Sequence, residues 1–146
     1  MSETIRDHYE LRAILERDAA ASVCRNGADL SAIRQAFDES KDALERGDSL
    51  AYGNCNELFH MAIWTAKGNK KIVQTLSQLW NGLSMGHKVT RESYAQISMA
   101  EHTQIMEALE HRDAKAAEEL MDRHIHRSME NILTHLSAAQ NPEQKA

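Results

Sequence analysis

The chain has 146 residues, of which 42% are hydrophobic and 27% are charged, and its formal net charge is −5. This length and balance fit a single globular domain, and one proline with six glycines leaves little material for a turn-rich β fold. The acidic charge excludes a broad basic surface, so we expect no direct contact between this chain and nucleic acid.

Apolar residues recur at helical spacing along the chain and predict six helices with no strand. Five of the predicted helices span about residues 2–26, 28–46, 49–66, 92–111 and 114–138. The remaining helix, the fourth in order, begins after Asn69 and ends within residues 82–88. Because short links make neighbouring helices antiparallel, the sequence predicts an all-α antiparallel bundle of about six helices.

Residues that suit helix ends stand at the breaks between these segments. Gly27 and Gly68 fit the left-handed position that follows the C-terminus of many helices. Short polar side chains that accept hydrogen bonds from the first backbone N–H groups are expected as N-terminal caps. The candidates are Asp29 or Ser31, Asp48 or Ser49, Asn69 and Asp113.

A pair of possible metal donors lies on the third predicted helix. Asn56 and His60 are four residues apart, so a helix places both side chains on one face, and Leu58 beside them is expected to turn toward the core. His102 and His124 lie on the fifth and sixth predicted helices. Three imidazoles and one carboxamide would then close around one divalent ion. The alternative is that each histidine is separately packed or solvated, because such spacing is common by accident.

The remaining features bear on the cellular compartment. Cys24 and Cys55 are the two cysteines, and they form no close-spaced metal pattern or disulfide framework, which favours a reducing environment. The sequence holds no apolar run near the roughly 20 residues that a membrane span needs. Since the N-terminus also lacks the charged and apolar regions of a signal peptide, we expect a cytoplasmic protein without membrane contact.

Six short segments occur in the order and spacing of a known family. They are YELRAILE at 9–16, NELFH at 56–60, AKGN at 66–69, EHTQI at 101–105, ALEHRDA at 108–114 and MDRHI at 121–125. Through these segments the chain resembles the FCD domain, the C-terminal effector domain of FadR-type regulators in the GntR family. The resemblance extends over roughly residues 9–136.

The resemblance implies a metal site in a buried cavity of the bundle. In the metal-binding branch of the family, a carboxylate and three histidines hold one ion, and those positions fall here on Asn56, His60, His102 and His124. The asparagine replaces the aspartate that is common in that branch, so the fourth ligand brings no negative charge. Three imidazoles and one oxygen suit a divalent transition metal ion, with zinc or nickel expected.

The resemblance also implies a small organic acid as the ligand. Arg12 matches an arginine that anchors a carboxylate inside the cavity, for which a guanidinium offers a planar pair of donors. The alternative places Arg12 on the surface. His87 and Lys88 fall where the family varies a residue of the cavity, and they are further candidates for contact with the ligand or else with solvent.

Together these features predict an effector-sensing domain over residues 1–139, followed by a frayed polar tail at residues 140–146. The domain would bind a small organic acid, form a homodimer and act in a GntR-type regulator, here without the winged helix-turn-helix domain. The first alternative is a stand-alone metal-dependent enzyme of hydrolase or lyase type that acts on a small organic acid, with Glu57, Glu101 and His87 as candidate bases. The second alternative is a plain dimerisation module.

Overall fold

A computed structural model describes residues 2–82 and 92–140 of the chain as six helices, and this part of the chain contains no strand. The helices are α1 (Ser2–Asn26), α2 (Ser31–Glu45), α3 (Ser49–Lys67), α4 (Lys70–Gly82), α5 (Glu92–Glu110) and α6 (Ala114–Gln140). The prediction of an all-α bundle is confirmed. The proposed end of the fourth helix beyond residue 82 and the last six residues of the predicted tail lie outside the described residues.

Most helix ends follow the expected capping chemistry. The carboxylate of Asp48 accepts a hydrogen bond from the backbone N–H of Ala51 at 3.1 Å, and Asp113 accepts one from Ala116 at 3.1 Å. At the C-terminus of α3, Gly68 adopts a left-handed conformation with φ of 92°. Because glycine lacks a Cβ atom, this conformation ends the helix without steric cost.

Two details of the sequence interpretation are wrong. Helix α2 begins at Ser31 rather than at residue 28, because the Asp29 carboxylate accepts hydrogen bonds from the Ser31 backbone N–H and hydroxyl at 2.9 and 2.6 Å and closes a turn first. Leu58 does not face the core, since 49% of its surface is exposed. Its neighbour Phe59 takes the buried face of α3, and adjacent residues on a helix point about 100° apart.

All six helices contribute side chains to the core. Its largest fully buried side chains are Trp64, Phe59, Ile33, Ile63, Leu76, Ile105, Met106, Leu109, Met121 and Ile125, together with His60 and His102. Positions as deeply buried as these usually hold apolar groups, whose burial drives folding. At two of them the core holds the imidazoles of His60 and His102 instead. Among the described residues, no helix is both long enough and apolar enough to span a membrane.

Candidate metal centre

Three buried histidines from three helices form one cluster. His60 of α3, His102 of α5 and His124 of α6 expose 1%, 0% and 3% of their surfaces. The Nε2 atom of His102 lies 3.3 Å from Nε2 of His60 and 3.1 Å from Nε2 of His124. One candidate ligand atom from each ring lies within 4.8 Å of the other two. The structure therefore brings together the three imidazoles that the sequence singled out.

The packing of the helices explains why these rings meet. A tight turn joins α5 to α6, so the two helices run antiparallel and place residue 102 opposite residue 124. Helix α3 supplies the third ring and an aromatic neighbour, because Phe59 stacks on His102 with ring centroids 4.5 Å apart. Trp80 of α4 lies 5.2 Å from the His60 ring. Aromatic walls thus limit how the imidazoles can turn.

The outer nitrogen of His60 is held by a buried carboxylate of α1. Oε1 of Glu16 accepts hydrogen bonds from His60 Nδ1 at 2.6 Å and from Trp64 Nε1 at 2.9 Å, and Oε2 accepts one from Arg12 Nε. Burial opposes the charged form, but the charge of Arg12 and the two other donors outweigh it, so the pKa of Glu16 lies well below its usual value. An ionised carboxylate only accepts, so Nδ1 carries a proton, and in the neutral imidazole Nε2 then presents a lone pair.

His124 has a similar partner on the other side of the cluster. Oε1 of Glu101 accepts a hydrogen bond from His124 Nδ1 at 2.6 Å, and Arg127 Nε lies 3.0 and 3.1 Å from the two oxygens of Glu101. Burial is again outweighed by the hydrogen bonds from His124 and Arg127, which lower the pKa of Glu101. His124 therefore also carries its proton on Nδ1 and directs a lone pair from Nε2 toward the cluster.

Burial keeps two of the imidazoles neutral. It lowers the pKa of His124 to about 4, although the hydrogen bond to Glu101 opposes this shift. Burial, together with the neighbouring rings of His124 and His60, lowers the pKa of His102 well below its usual value. Neutral imidazole is the form that binds metal, so these two rings need not lose a proton to bind an ion at neutral pH.

The donor set fits a divalent ion. Nitrogen ligands about 2.0–2.1 Å from a tetrahedral ion lie about 3.3–3.4 Å apart, close to the observed separations of 3.1 and 3.3 Å. The lone pairs of His60 and His124 both face Nε2 of His102, whose single proton can serve only one of them. A cation at the centre would satisfy all three nitrogens. A cluster of this kind could hold a metal ion.

Asn56 lies one helical turn before His60 and is half-buried. Its Oδ1 atom is buried and has no hydrogen-bond partner within residues 2–82 and 92–140. A buried amide oxygen without a partner costs free energy, and coordination of a cation would remove that cost. The role of Asn56 as a fourth ligand stays a prediction.

Arg12 lies inside the bundle, so its interpretation as a surface residue is wrong. Only 7% of its surface is exposed, and its guanidinium carbon lies 4.4 Å from the centroid of the Trp80 ring and 5.3 Å from that of Tyr9. The two aromatic faces and the Glu16 carboxylate compensate its buried charge. The other proposed ligand contacts, His87 and Lys88, lie outside the described residues.

Sequence reasoning missed the role of Glu16 and did not foresee that Glu101 binds His124. A signal for Glu16 was present, because it stands four residues after Arg12 on a stripe that includes the buried Ala13 and Ala20. An acidic residue on such a stripe is rarely buried unless it is paired. Glu101 had been considered as a catalytic base, but its oxygens are occupied by His124 and Arg127.

The fold and the histidine cluster define an all-helical domain with a candidate metal centre. A model of the FCD domain matches residues 7–127, which is most of the chain, and the chain belongs to the FCD domain family. FCD domains are the effector-binding domains of GntR-family regulators, where they bind small molecules and dimerise. A comparison with curated proteins gave no match.

Proposed function

We propose that this domain senses a small organic acid through a divalent metal ion, as the effector-binding and dimerising half of a GntR/FadR-type regulator. The convergence of three buried imidazole nitrogens supports the metal most strongly, since two of them lie 3.3 and 3.1 Å from the third. In this proposal His60, His102 and His124 hold the ion, and Asn56 adds an oxygen.

The charges around the cluster support an anionic ligand. The carboxylates of Glu16 and Glu101 are each paired with an arginine, Arg12 and Arg127, so these four charges cancel in pairs. Neutral imidazoles and an amide would leave the charge of a divalent ion uncompensated in a buried site. When bound, the ion supplies a Lewis-acidic position that a carboxylate can occupy. Zinc and nickel are the metals that this donor set favours.

Arg12 is the proposed second anchor for the acid. Its guanidinium is buried beside Trp80 and Glu16, and a buried guanidinium is a strong, directional partner for a carboxylate. An acid with two polar ends would contact the ion at one end and Arg12 at the other. Sugar acids, hydroxy acids and dicarboxylates have this form. His87 and Lys88 remain candidates for additional contacts with the acid.

The side chains proposed to bind the ion and the acid lie on several helices. Binding of the acid would therefore be transmitted to the arrangement of these helices. Arg12 lies on α1, whereas the three histidines lie on α3, α5 and α6. An acid that binds one arrangement of these helices better than another shifts the population toward that arrangement. In a homodimer this shift would change the spacing of attached DNA-binding domains. We assign the sensing domain to residues 1–139 with a tail at 140–146, and we expect it to act in the cytoplasm without direct contact with nucleic acid.

The proposal is tested by metal analysis followed by ligand screening. The protein is purified without added metal, its metal content is measured, and organic acids are screened by thermal shift in metal-loaded and chelator-treated samples. The acid that binds should raise the melting temperature only of the loaded protein. His102→Ala should lose both the metal and the response, whereas His126→Ala, a change of an exposed histidine on α6, should keep them.

Two results would contradict this proposal. The first is a thermal shift of equal size in loaded and chelator-treated protein, which would show that the acid does not need the metal. The second is metal-dependent turnover of the acid, which would support the enzyme alternative.

A further inference from the structure

We infer that Glu16 is a positioning residue for the metal centre, which holds His60 in the tautomer that presents Nε2 to the ion. The inference rests on the proposed metal site and assigns a role to a residue outside the ligand set. It begins from the contacts of Glu16, because three donors from two helices converge on this one carboxylate.

The apolar packing around Glu16 would accommodate an uncharged residue if Arg12 were also replaced. The residue is fully buried, and its neighbours on the same stripe of α1, Ala13, Ala19 and Ala20, are also buried. Apolar side chains in place of both Glu16 and Arg12 would avoid the cost of removing the two charges from water. Replacement of buried ion pairs by apolar residues is often neutral or stabilising. Packing alone therefore gives no reason for a glutamate at this position.

The hydrogen bond to His60 gives such a reason. Both oxygens of Glu16 accept from groups that can only donate, Arg12 Nε and Trp64 Nε1, and Oε1 also accepts the proton of His60 Nδ1 at 2.6 Å. This fixes the tautomer and leaves a lone pair on Nε2, which faces the other two imidazoles. A carboxylate behind a ligating histidine also makes the imidazole a stronger donor, and loss of such a partner typically weakens metal binding by about 10- to 100-fold.

The other two contacts keep the carboxylate in place. Trp64 donates to the same oxygen that binds His60, from a position one helical turn further along α3. Arg12 binds the second oxygen from one turn earlier on α1. With both oxygens engaged, the carboxylate cannot turn away from His60 without losing a buried hydrogen bond. Glu16 thus joins the proposed anchor of the acid, Arg12, to a proposed metal ligand.

The inference is tested first by the affinity for zinc, with the full chain and a competing chelator. Glu16→Asp keeps the negative charge beside Arg12 but shortens the side chain, so the oxygen withdraws from His60. Glu16→Gln keeps the length but removes the charge. Each variant should bind zinc about 10- to 100-fold more weakly than the wild type. The control is Glu10→Gln, a change at an exposed position of α1, which should leave the affinity unchanged.

The second readout is the tautomer of His60, measured by imidazole nitrogen spectra of the chelator-treated protein. The wild type should carry the proton on Nδ1, and Glu16→Asp should lose this preference. A purely structural role for Glu16 would lower the melting temperature but change neither the tautomer nor the affinity. The wild-type spectrum needs no variant, so a His60 proton on Nε2 would overturn the inference even if the variants failed to fold.

The outcomes separate this inference from the proposed function. If the wild type binds zinc and folded Glu16→Asp binds it equally well, with the tautomer unchanged, Glu16 is not a positioning residue and the metal site stands. If the wild type binds no zinc, the proposed function fails. In that case the spectra still decide whether Glu16 fixes the His60 tautomer.

Discussion

Two carboxylate–histidine pairs flank the histidine cluster with the same 2.6 Å contact, but their surroundings differ. The Glu16 side chain is 0% exposed and its arginine partner 9%, whereas the Glu101 side chain is 23% exposed and its arginine partner 21%. Charges in a buried pair interact strongly and cannot turn to water, whereas a half-buried pair is partly screened. The buried pair of Glu16 and Arg12 is therefore tied to the stability of the fold, whereas the more exposed pair of Glu101 and Arg127 tolerates change.

The largest effect is expected when both imidazoles that belong to these pairs are removed. His60→Ala combined with His124→Ala should abolish metal binding, because only one of the three nitrogens remains. Metal content after gel filtration measures this loss. His126→Ala, two residues from His124 but exposed, should keep the metal content of the wild type. Retention of metal by the double variant would show that the ion binds elsewhere.

Removal of the negative charge from each carboxylate–arginine pair compares the energetic importance of the two pairs directly. Glu16→Gln should lower the free energy of unfolding by about 3–5 kcal/mol, because it leaves the charge of Arg12 buried and uncompensated. Glu101→Gln should cost only about 1 kcal/mol, since Arg127 can turn toward water. Urea denaturation of chelator-treated protein gives both values. Equal losses would mean that the difference in burial has no energetic consequence.

Acidification should destabilise the metal-free protein. Below pH 6.5 the unfolded chain takes up protons on its histidines, whereas folded His102 and His124 resist protonation because their pKa values are lowered, that of His124 to about 4. The unfolded state then binds more protons, so stability is fully present above pH 6.5 and falls between pH 6.5 and 4. The pKa values of Glu16 and Glu101 are lowered in the folded state, so the loss of stability continues at lower pH, where these carboxylates take up protons.

Denaturation midpoints measured across this pH range test the prediction. His102→Ala removes one of the two groups and should give a shallower fall than the wild type. The exposed His126 serves as the control, and its replacement by alanine should leave the slope unchanged. A wild-type midpoint that is constant or rises from pH 6.5 to 4.5 would contradict the buried neutral state of these imidazoles.

The smallest expected effect concerns the neutral fourth ligand. Asn56→Asp should tighten zinc binding by about tenfold, or about 1.4 kcal/mol, because a carboxylate offers the ion an anionic oxygen. Asn54→Asp adds the same charge at an exposed position of α3 and should leave the affinity nearly unchanged. If the two variants behave alike, the side chain at position 56 does not reach the ion.

Local chemistry made much of the fold predictable. The side chains of Asp48 and Asp113 cap the beginnings of helices, and Gly68 ends one in a left-handed conformation. Such caps are predictable because capping depends on a few adjacent residues. The spacing of Asn56 and His60 placed two candidates on one helical face. The three histidines were candidates for one site from their places on helices, and the family resemblance then favoured that site over separately packed rings, since helical periodicity alone does not say which faces meet.

The remaining features depend on contacts between distant segments. Glu16 meets His60 across 44 positions of the sequence, and no local pattern specifies that pairing. The direction of Arg12 was left open because it stands at the edge of an apolar stripe, and its pairing with Glu16 and the Trp80 ring is a tertiary contact. The exposure of Leu58 likewise follows from the turn of α3 that buries Phe59 instead.

Anomalous diffraction from crystals grown with zinc and without chelator gives the sharpest test of the metal centre. One ion per chain should appear about 2.0–2.1 Å from Nε2 of His60, His102 and His124. An ion bound at another place, or three imidazoles without an ion in zinc-saturated crystals, would contradict a metal centre at this position.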